Sequence, residues 1–260
     1  MNDLTAEALA GPLAGRPARI YPAALSAGAD AQAWARAGAP EGAVVVAGYQ
    51  ASPRGRGGWP WALEPEHDVC FALVAHPDLP AEREGWLYLV ALVGVLDAVG
   101  GGTLRWPDEV WDRDRCVAAV GVDTGLGAHG LTWAVINVWL RGVAAPRGPL
   151  VERTAQAIEV RLNDDPEAVL EIVNTRCTTL GERIRARMIP LGPGGPEIEG
   201  EAATCLADGA IVVMTAHGTR VAVRPQHLGM VEPAGAGDDP GPGHLDLTPP
   251  RRPPDGPRPR

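Results

Sequence analysis

The chain has 260 residues, of which 45% are hydrophobic, and its formal net charge is -9. This length and composition allow one sizeable core with a small second unit, and they exclude a collagen-like or wholly disordered chain. The acidic balance argues against non-specific binding to nucleic acid or to an anionic membrane surface. The four cysteines follow neither zinc-ligand spacing nor a disulfide framework.

No basic segment followed by an apolar core opens the sequence, so a secretory signal is not expected. The longest apolar run, Trp86 to Leu96, is well below the ~20 residues that a membrane-spanning helix needs. We therefore predict a cytoplasmic protein.

The first part of the chain alternates between predicted strands and helices. An Ala/Leu-rich arm over residues 1–17 comes first, and its Met1 to Gly15 predict either a short helix or a loosely held arm. Three apolar runs predict strands, at Ala18 to Leu25, Gly42 to Gly48 and Asp68 to Val74. Asp30 to Ala37 predicts a helix that carries Trp34. Trp86 to Ala98 is apolar on nearly every side and predicts a buried helix, which the glycines that follow it end.

The segment from Arg105 to Asp123 predicts a hairpin. A strand-like run ends at Trp106-Pro107, a polar turn follows at Asp112 to Arg115, and an apolar run covers Val117 to Val122. Such a hairpin can hold charged side chains at one edge of a sheet.

Downstream of the hairpin, we expect a turn over Thr124 to His129 and a returning strand over Gly130 to Leu140. Val151 to Leu162 and Glu167 to Asn174 predict helices. Four short β runs then follow, at Glu182 to Ile189, Glu197 to Cys205, Ala210 to Thr215 and Thr219 to Val223. Pro233 to Arg260 is rich in Pro, Gly, Asp and Arg, which predicts a disordered tail.

The hairpin resembles that of biotin protein ligases, which share a superfamily with lipoate ligases and octanoyl transferases. The family carries Lys-Trp-Pro-Asn-Asp, a short turn, Asp-Arg-Lys-Leu-Ala-Gly-Ile-Leu-Val-Glu, and then an Ile-Asn pair. The corresponding residues here are Arg105 to Glu109, Asp114 to Asp123, and Ile136-Asn137, with no gap from Trp106 to Asp123.

A second match lies in Tyr49 to Trp61, which resembles the family's Gln-Ala followed by Gly-Arg-Gly-Arg-Arg-Gly and a tryptophan. The resemblance implies that Gln50 contacts the head group of the acid and that Arg54 and Arg56 are loop arginines. It also implies that Arg56 holds the acyl-adenylate and that Trp61 covers adenine. Glycines let a backbone approach an anion, and arginines donate charge-assisted hydrogen bonds to phosphate or carboxylate. The alternative is a solvated surface loop.

The sequence departs from the family at two places. Cys116 stands where the family has a lysine, and a neutral thiol cannot supply the positive charge that brings a carboxylate and the α-phosphate of ATP together. The family's Ser-Thr-Asn pocket segment corresponds to Ser26-Ala27-Gly28-Ala29, in which only Ser26 is polar. A thioester on Cys116 is a variant that requires Arg115 to lower the pKa of the thiol.

The resemblance implies an enzyme that activates biotin, lipoate or octanoate with ATP and Mg²⁺ and transfers it to a lysine of a biotinyl or lipoyl carrier domain. Arg56 and Arg105 would then compensate for the missing lysine. Asp108 or Glu109 would contact ribose or magnesium, and Asn137 would lie near phosphate. The implied catalytic and binding residues are Cys116, Arg56, Gln50, Arg54, Trp61, Arg105, Asp108 and Asn137, with Glu109 as the candidate metal contact.

The second hypothesis is a ligase-derived binding protein without catalysis, because a fold does not guarantee its chemistry. The expected architecture is α+β, with a mixed sheet flanked by helices in residues 18–165 and a small SH3-like β-barrel in residues 166–232. The arm at 1–17 and the tail at 233–260 lie outside both units. No helix-turn-helix precedes the ligase-like region, so a repressor function is not expected. The sequence leaves the oligomeric state open.

Overall fold

A computed structural model of the chain describes residues 3–192 and 195–235. Within this part, twelve strands form two sheets. The strands of the first sheet are β1 (Ala18–Tyr21), β2 (Val44–Ala47), β3 (Val69–Ala75), β4 (Thr103–Arg105), β5 (Glu109–Asp112), β6 (Arg115–Gly127) and β7 (Gly130–Leu140). The strands of the second sheet are β8 (Arg183–Met188), β9 (Glu197–Cys205), β10 (Ile211–Thr215), β11 (Arg220–Val223) and β12 (Leu228–Pro233).

The first sheet is mixed, with the strand order β1-β2-β3-β7-β6-β5-β4, and β1 and β2 pair in parallel. The second sheet is antiparallel, with the order β11-β10-β9-β8-β12. Helices flank the first sheet: α1 (Ala6–Leu9), α2 (Ala27–Arg36), α3 (Trp86–Val99), α4 (Gly148–Leu162) and α5 (Pro166–Arg176). This architecture confirms the predicted α+β class, with the second sheet at the place of the predicted SH3-like barrel.

Helix α3 is the centre of the core. Nearly all of its residues are buried, because it packs against the first sheet on one side and against α4 and α5 on the other. Gly94 allows the closest approach, since a Cβ at this position would lie 2.7 Å from the Cα of Ile158 in α4. Gly100 ends the helix with a φ of 87°, a left-handed conformation that glycine adopts without strain.

The N-terminal arm is attached to this core from Asp3 onward. Leu4, Leu9 and Leu13 are buried in the core cluster. The Nε of Arg147 donates to Oδ1 of Asp3 at 2.6 Å, and the backbone NH of Arg147 donates to the other carboxylate oxygen. These contacts rule out a loosely held arm for the described residues.

Two predicted boundaries in the hairpin region differ from the structure. The turn predicted over Thr124 to His129 is confined to Ala128 and His129, because β6 continues to Gly127 and pairs with Gly130 of β7. The strand before the hairpin ends at Arg105, and a second short turn separates it from β5. Local turn-forming residues were therefore outweighed by pairing along the long β6–β7 ribbon.

Strand β12 is missing from the predicted elements. It pairs with β8, and Pro233 lies opposite Ile184, so the predicted tail begins too early in the chain. Gly229 and Pro233 dilute its apolar pattern. The rest of the predicted disordered tail, from residue 236 onward, lies outside the described residues. In the part that the structure describes, no helix is long and apolar enough to cross a membrane.

Candidate functional site

The candidate site lies on the face of the first sheet that points away from α3. Ile136 and Val138 of β7 belong to the same core cluster as α3. Side chains alternate along a strand, so Asn137 and Trp139 point to the opposite face. We call this face, which also carries Cys70, Ala119, Gly121 and Asp123, the site face.

The Gly/Arg loop, residues 54–61, crosses the site face at Gly121 of β6. A Cβ on Gly121 would lie 2.8 Å from the carbonyl carbon of Gly55 and 2.9 Å from the amide nitrogen of Arg56. The ring of Trp61 covers Gly55 so closely that it leaves no space for a Cβ there either. The loop therefore requires these two glycines, because strand, backbone and indole are stacked in direct contact.

Two cavities lie on either side of this loop, and Trp61 lines both. The larger cavity has a volume of about 490 Å³ and is bounded by Arg56, Trp59, the turn from Arg105 to Glu109, and strand β12. The smaller cavity has a volume of about 210 Å³ and is lined by Gln50, Asp68 and Cys70 among others. The rings of Trp61 and Trp139 contact each other, with centroids 5.6 Å apart.

Gln50 is buried at the wall of the smaller cavity. Its Oε1 accepts a hydrogen bond from the backbone NH of Ala27 at 2.8 Å, and its Nε2 donates to the carbonyl oxygen of Cys70 at 2.7 Å. The side chain thus fixes the start of α2 against β3 and holds its amide rigidly at the cavity surface.

Arg56 is only 8% exposed, although it lines the larger cavity. Its Nε donates to Oδ2 of Asp108 at 3.0 Å, and its terminal nitrogens donate to the carbonyl oxygens of Leu228 and Gly229 in β12. Burial raises the pKa of Asp108, and the charge of Arg56 opposes that rise. Arg54 is exposed and donates to the carbonyl oxygen of Gly58 within the loop at 2.9 Å. Arg56 therefore fastens the loop to the second sheet.

Arg105 and Glu109 face the same cavity from the turn before β5. The guanidinium of Arg105 stacks over the ring of Trp111 at 3.6 Å from its centroid. The Nε1 of Trp111 donates to Oε2 of Glu109 at 2.8 Å. Burial and the charge of Asp108 raise the pKa of Glu109, whereas two arginines oppose that rise.

Cys116 is buried at the edge of the site and lines neither of these two cavities. Its thiol donates to the carbonyl oxygen of Ala118 at 3.3 Å. Burial, assisted by the charge of Glu109, raises the pKa of this thiol to about 11. The prediction that Arg115 lowers this pKa is wrong, because the guanidinium of Arg115 lies beside Gly142 instead.

Asn137 lies deeper on the site face, outside the lining of both cavities. Its Nδ2 donates to Oδ2 of Asp123 at 2.8 Å, and its Oδ1 lies where a Cβ of Gly28 would be. Asn137 therefore joins β7 and β6 to the start of α2. Burial raises the pKa of Asp123, and the hydrogen bond from Asn137 opposes that rise.

Two residues of the site were missed by the sequence reasoning. Trp139 contacts Trp61 and donates from Nε1 to Oδ2 of Asp68 at 2.9 Å. Arg141 follows the last residue of β7, and its guanidinium lies over the ring of Trp139 at 4.7 Å from the centroid. The only sequence signal was the position of both residues on or next to the strand that carries Asn137.

The chain is 28% identical over 239 residues to the biotin–[acetyl-CoA-carboxylase] ligase of Mycobacterium tuberculosis, a match that covers 76% of this chain and 86% of that protein. It is 34% identical over 151 residues to the bifunctional ligase/repressor BirA of Bacillus subtilis, which covers 56% of this chain and 42% of that protein. No family model matches the sequence.

Among solved structures, the biotin protein ligase of Aquifex aeolicus in complex with biotin and ATP matches with a TM-score of 0.63 at 16% identity, covering 84% of this chain and 99% of that one. The biotin acetyl coenzyme A carboxylase synthetase of Helicobacter pylori matches with a TM-score of 0.58 at 17% identity, covering 80% and 100%. In sequence and in fold the chain is similar to biotin protein ligases, which supports the resemblance to the biotin/lipoate protein ligase superfamily.

Two motifs that carry the likeness to this superfamily lie next to each other in the fold. The Gly/Arg loop and the turn from Arg105 to Glu109 border one cavity, and Gln50 borders the next. Cys116 and Asn137 are close to these cavities without lining them. In the described part of the chain, no three His, Cys, Asp or Glu side chains are grouped as metal ligands.

Proposed function

We propose that the chain binds a carboxylic acid of the biotin class together with ATP, joins them as an acyl-adenylate, and passes the acyl group to a protein lysine. The observation that carries this proposal is the Gly/Arg loop, which lies against Gly121 between two adjoining cavities. A ligand built from an acyl group and a nucleotide needs two such compartments side by side.

The residues that line the two cavities support the proposal that one cavity binds the acid and the other binds the nucleotide. Small-molecule sites combine aromatic walls with a few fixed polar groups. The smaller cavity offers the rigid amide of Gln50 and the indole of Trp61, which suits the head group of the acid. The larger cavity offers Arg105 and the indole of Trp59, which suits a nucleotide and its phosphates. Arg54 is placed by this proposal at the rim, where it pins the loop.

Glu109 is the residue that we propose as a ligand for Mg²⁺. Mg²⁺ in nucleotide sites is usually held by one or two carboxylates together with the substrate phosphates. Asp108 is already paired with Arg56, whereas Glu109 faces the larger cavity and accepts only the indole NH of Trp111 from the described side chains. A bound Mg²⁺ would supply charge neutralisation at the phosphates.

Biotin is the first acid to test, because the named relatives are biotin ligases. Lipoate and octanoate remain alternatives within the superfamily, and a biotinyl or lipoyl carrier domain is the proposed acceptor. We place this activity in the cytoplasm. We also propose residues 18–165 as the ligase unit and residues 166–232 as the unit that closes the larger cavity.

A second candidate function is binding without catalysis. The observation in its favour is the buried, neutral thiol of Cys116, together with an Arg56 whose donors are already used by Asp108 and β12. Such a protein would hold the acid or the nucleotide without forming the mixed anhydride.

The test is acid-dependent exchange of labelled pyrophosphate into ATP, with biotin, lipoate and octanoate in turn. Calorimetric titration of biotin and ATP into the same protein runs alongside. Exchange supports the ligase, and binding without exchange supports the second candidate. The absence of both overturns the proposal. A Cys116→Lys variant that gains exchange would demonstrate that the other groups of the site are competent.

A further inference from the structure

The position that carries the superfamily's lysine is neutral in this chain, but a cation lies beside it. The Nη1 of Arg141 is 3.5 Å from the carbonyl oxygen of Cys116. This separation is at the outer limit of a hydrogen bond, so it contributes little to holding the guanidinium. Arg141 is nevertheless close to the side chain of Cys116, because its charge opposes the rise in the pKa of that thiol.

The backbone fixes where Arg141 points. Its NH donates to the carbonyl oxygen of Val117 at 2.8 Å, which places it opposite the start of β6. Its guanidinium lies over the ring of Trp139, and Trp139 is on the site face. Arg141 therefore lies just after β7, beside the site face. It lines neither cavity of the candidate site and instead borders a third cavity, which Arg153 also lines.

The bonding of Arg141 differs from that of Arg56. A guanidinium carries five N–H donors. In the described part of the chain Arg141 forms no salt bridge, and the N–H groups of its side chain meet only Cys116, through the distant carbonyl oxygen and the thiol. Stacking on an indole holds the plane of a guanidinium and leaves its edge available for a planar anion. This is the state expected of an arginine that meets a ligand.

We infer that Arg141 supplies the positive charge that Cys116 cannot, so the cation of the site lies just after β7 instead of on β6. This inference rests on the proposed function. In the reaction, a carboxylate oxygen of the acid attacks the α-phosphorus of ATP, the bond from that phosphorus to the bridging oxygen breaks, and pyrophosphate leaves with the electron pair. Arg141 keeps its protons throughout and stabilises the charge that gathers between the carboxylate and the α-phosphate.

The experiment compares Arg141→Gln with Arg153→Gln in biotin-dependent pyrophosphate exchange. Arg153 is a matched control, because it lies near the same edge of the fold but donates to the carbonyl oxygen of Ala98 at 2.9 Å. We expect Arg141→Gln to lower kcat roughly 10²- to 10³-fold with a smaller change in KM, as for the loss of one preorganised donor. Arg153→Gln should stay within about twofold. Equal rates for the two variants overturn the inference.

Rescue separates a chemical role from a structural one. Arg141→Lys should retain more activity than Arg141→Gln, and Cys116→Lys placed in the Arg141→Gln background should restore exchange to within about tenfold of the wild type. Failure of both rescues in folded protein, as judged by thermal melting, means that Arg141 acts through packing.

If the wild type binds ATP but does not catalyse exchange, the proposed ligase activity is wrong. The proposal that Arg141 supplies the positive charge of the site can still be tested by binding. The affinity of Arg141→Gln for ATP should then fall about tenfold relative to Arg153→Gln, and equal affinities overturn the assignment. A wild type that neither exchanges nor binds overturns the proposed function and this inference together.

Discussion

Arg56 lines the candidate site and Arg141 lies beside it, and the two arginines have opposite bonding. Arg56 matches a motif of the superfamily, and its donors go to Asp108 and to two carbonyl oxygens of β12. Arg141 belongs to none of the motifs that carry the resemblance, and it rests on Trp139 without a salt bridge in the described chain. A match to a motif therefore need not identify the arginine that is free to bind an anion.

The contrast follows from the location of each side chain. Arg56 sits where the first sheet meets the second, so its desolvated charge must be balanced by fixed acceptors. Arg141 lies over an indole at the end of the central strand β7 and is partly exposed, so hydration and stacking stabilise its charge without a carboxylate. Arg56 therefore holds the two sheets together, whereas Arg141 retains N–H donors without a partner among the described residues.

The largest effect is expected for Arg56→Met. This change leaves the Asp108 carboxylate without its cation and two carbonyl oxygens without donors, so the free energy of unfolding should fall by about 3 to 5 kcal/mol. Denaturant unfolding measures this loss. Arg54→Met, at an exposed position in the same loop, should change it by less than about 0.5 kcal/mol. A loss below 1 kcal/mol for Arg56→Met would remove the contrast with Arg141.

Gly121→Ala tests the contact between strand and loop that positions Arg56. The new methyl group would press against the backbone at Gly55 and Arg56, at a cost of about 1 to 3 kcal/mol. We expect weaker binding of biotin and ATP in calorimetry as the loop shifts. Gly11→Ala is the control, because no atom lies within 4 Å of a Cβ at Gly11. Undisturbed binding in the Gly121 variant would contradict the role of the loop.

Arg105→Gln tests how much an arginine that stacks on an indole, as Arg141 does, contributes to the free energy of unfolding. Its stacking on Trp111 is an exposed cation–π contact, so its removal should cost only about 0.5 to 1 kcal/mol of unfolding free energy. A double-mutant cycle with Trp111→Leu isolates that term. A coupling as large as the loss in Arg56→Met would show that stacked arginines are structural too.

The smallest effect is the pH dependence of Glu109→Gln. Because the pKa of Glu109 is raised in the folded state, its favourable contribution is complete below the unfolded pKa and is lost as pH rises through the folded pKa. The variant should therefore gain Tm relative to the wild type between pH 4 and pH 7. Glutamine still accepts from the indole of Trp111, so a constant difference in Tm across this range would contradict the raised pKa.

Much of the fold could be predicted because buried elements appear in the sequence as runs of apolar residues. The apolar runs at β2, β3 and β7 and the fully apolar α3 were placed within a few residues. Strand β12 was not, since Gly229 and Pro233 interrupt its pattern. The extended β6 was also hidden, because pairing with β7 overrode the glycines that favour a turn.

The site was less predictable, because its contacts join distant parts of the chain. The partners of Arg56 in β12 are backbone carbonyl oxygens, which have no sequence signature. Arg115 was a poor guide to Cys116, since neighbouring side chains in a strand point to opposite faces. Arg141 was visible only once Trp139 and Cys116 were seen on one face.

The indole of Trp61 borders both cavities, so one aromatic ring sets the boundary between the two spaces that we propose for the acyl group and the nucleotide. It is held by Trp139 on one side and by Gly55 on the other. Under the proposed function, a substitution at Trp61 would therefore change the sizes of both spaces at once, and with them the length of acid that the protein accepts.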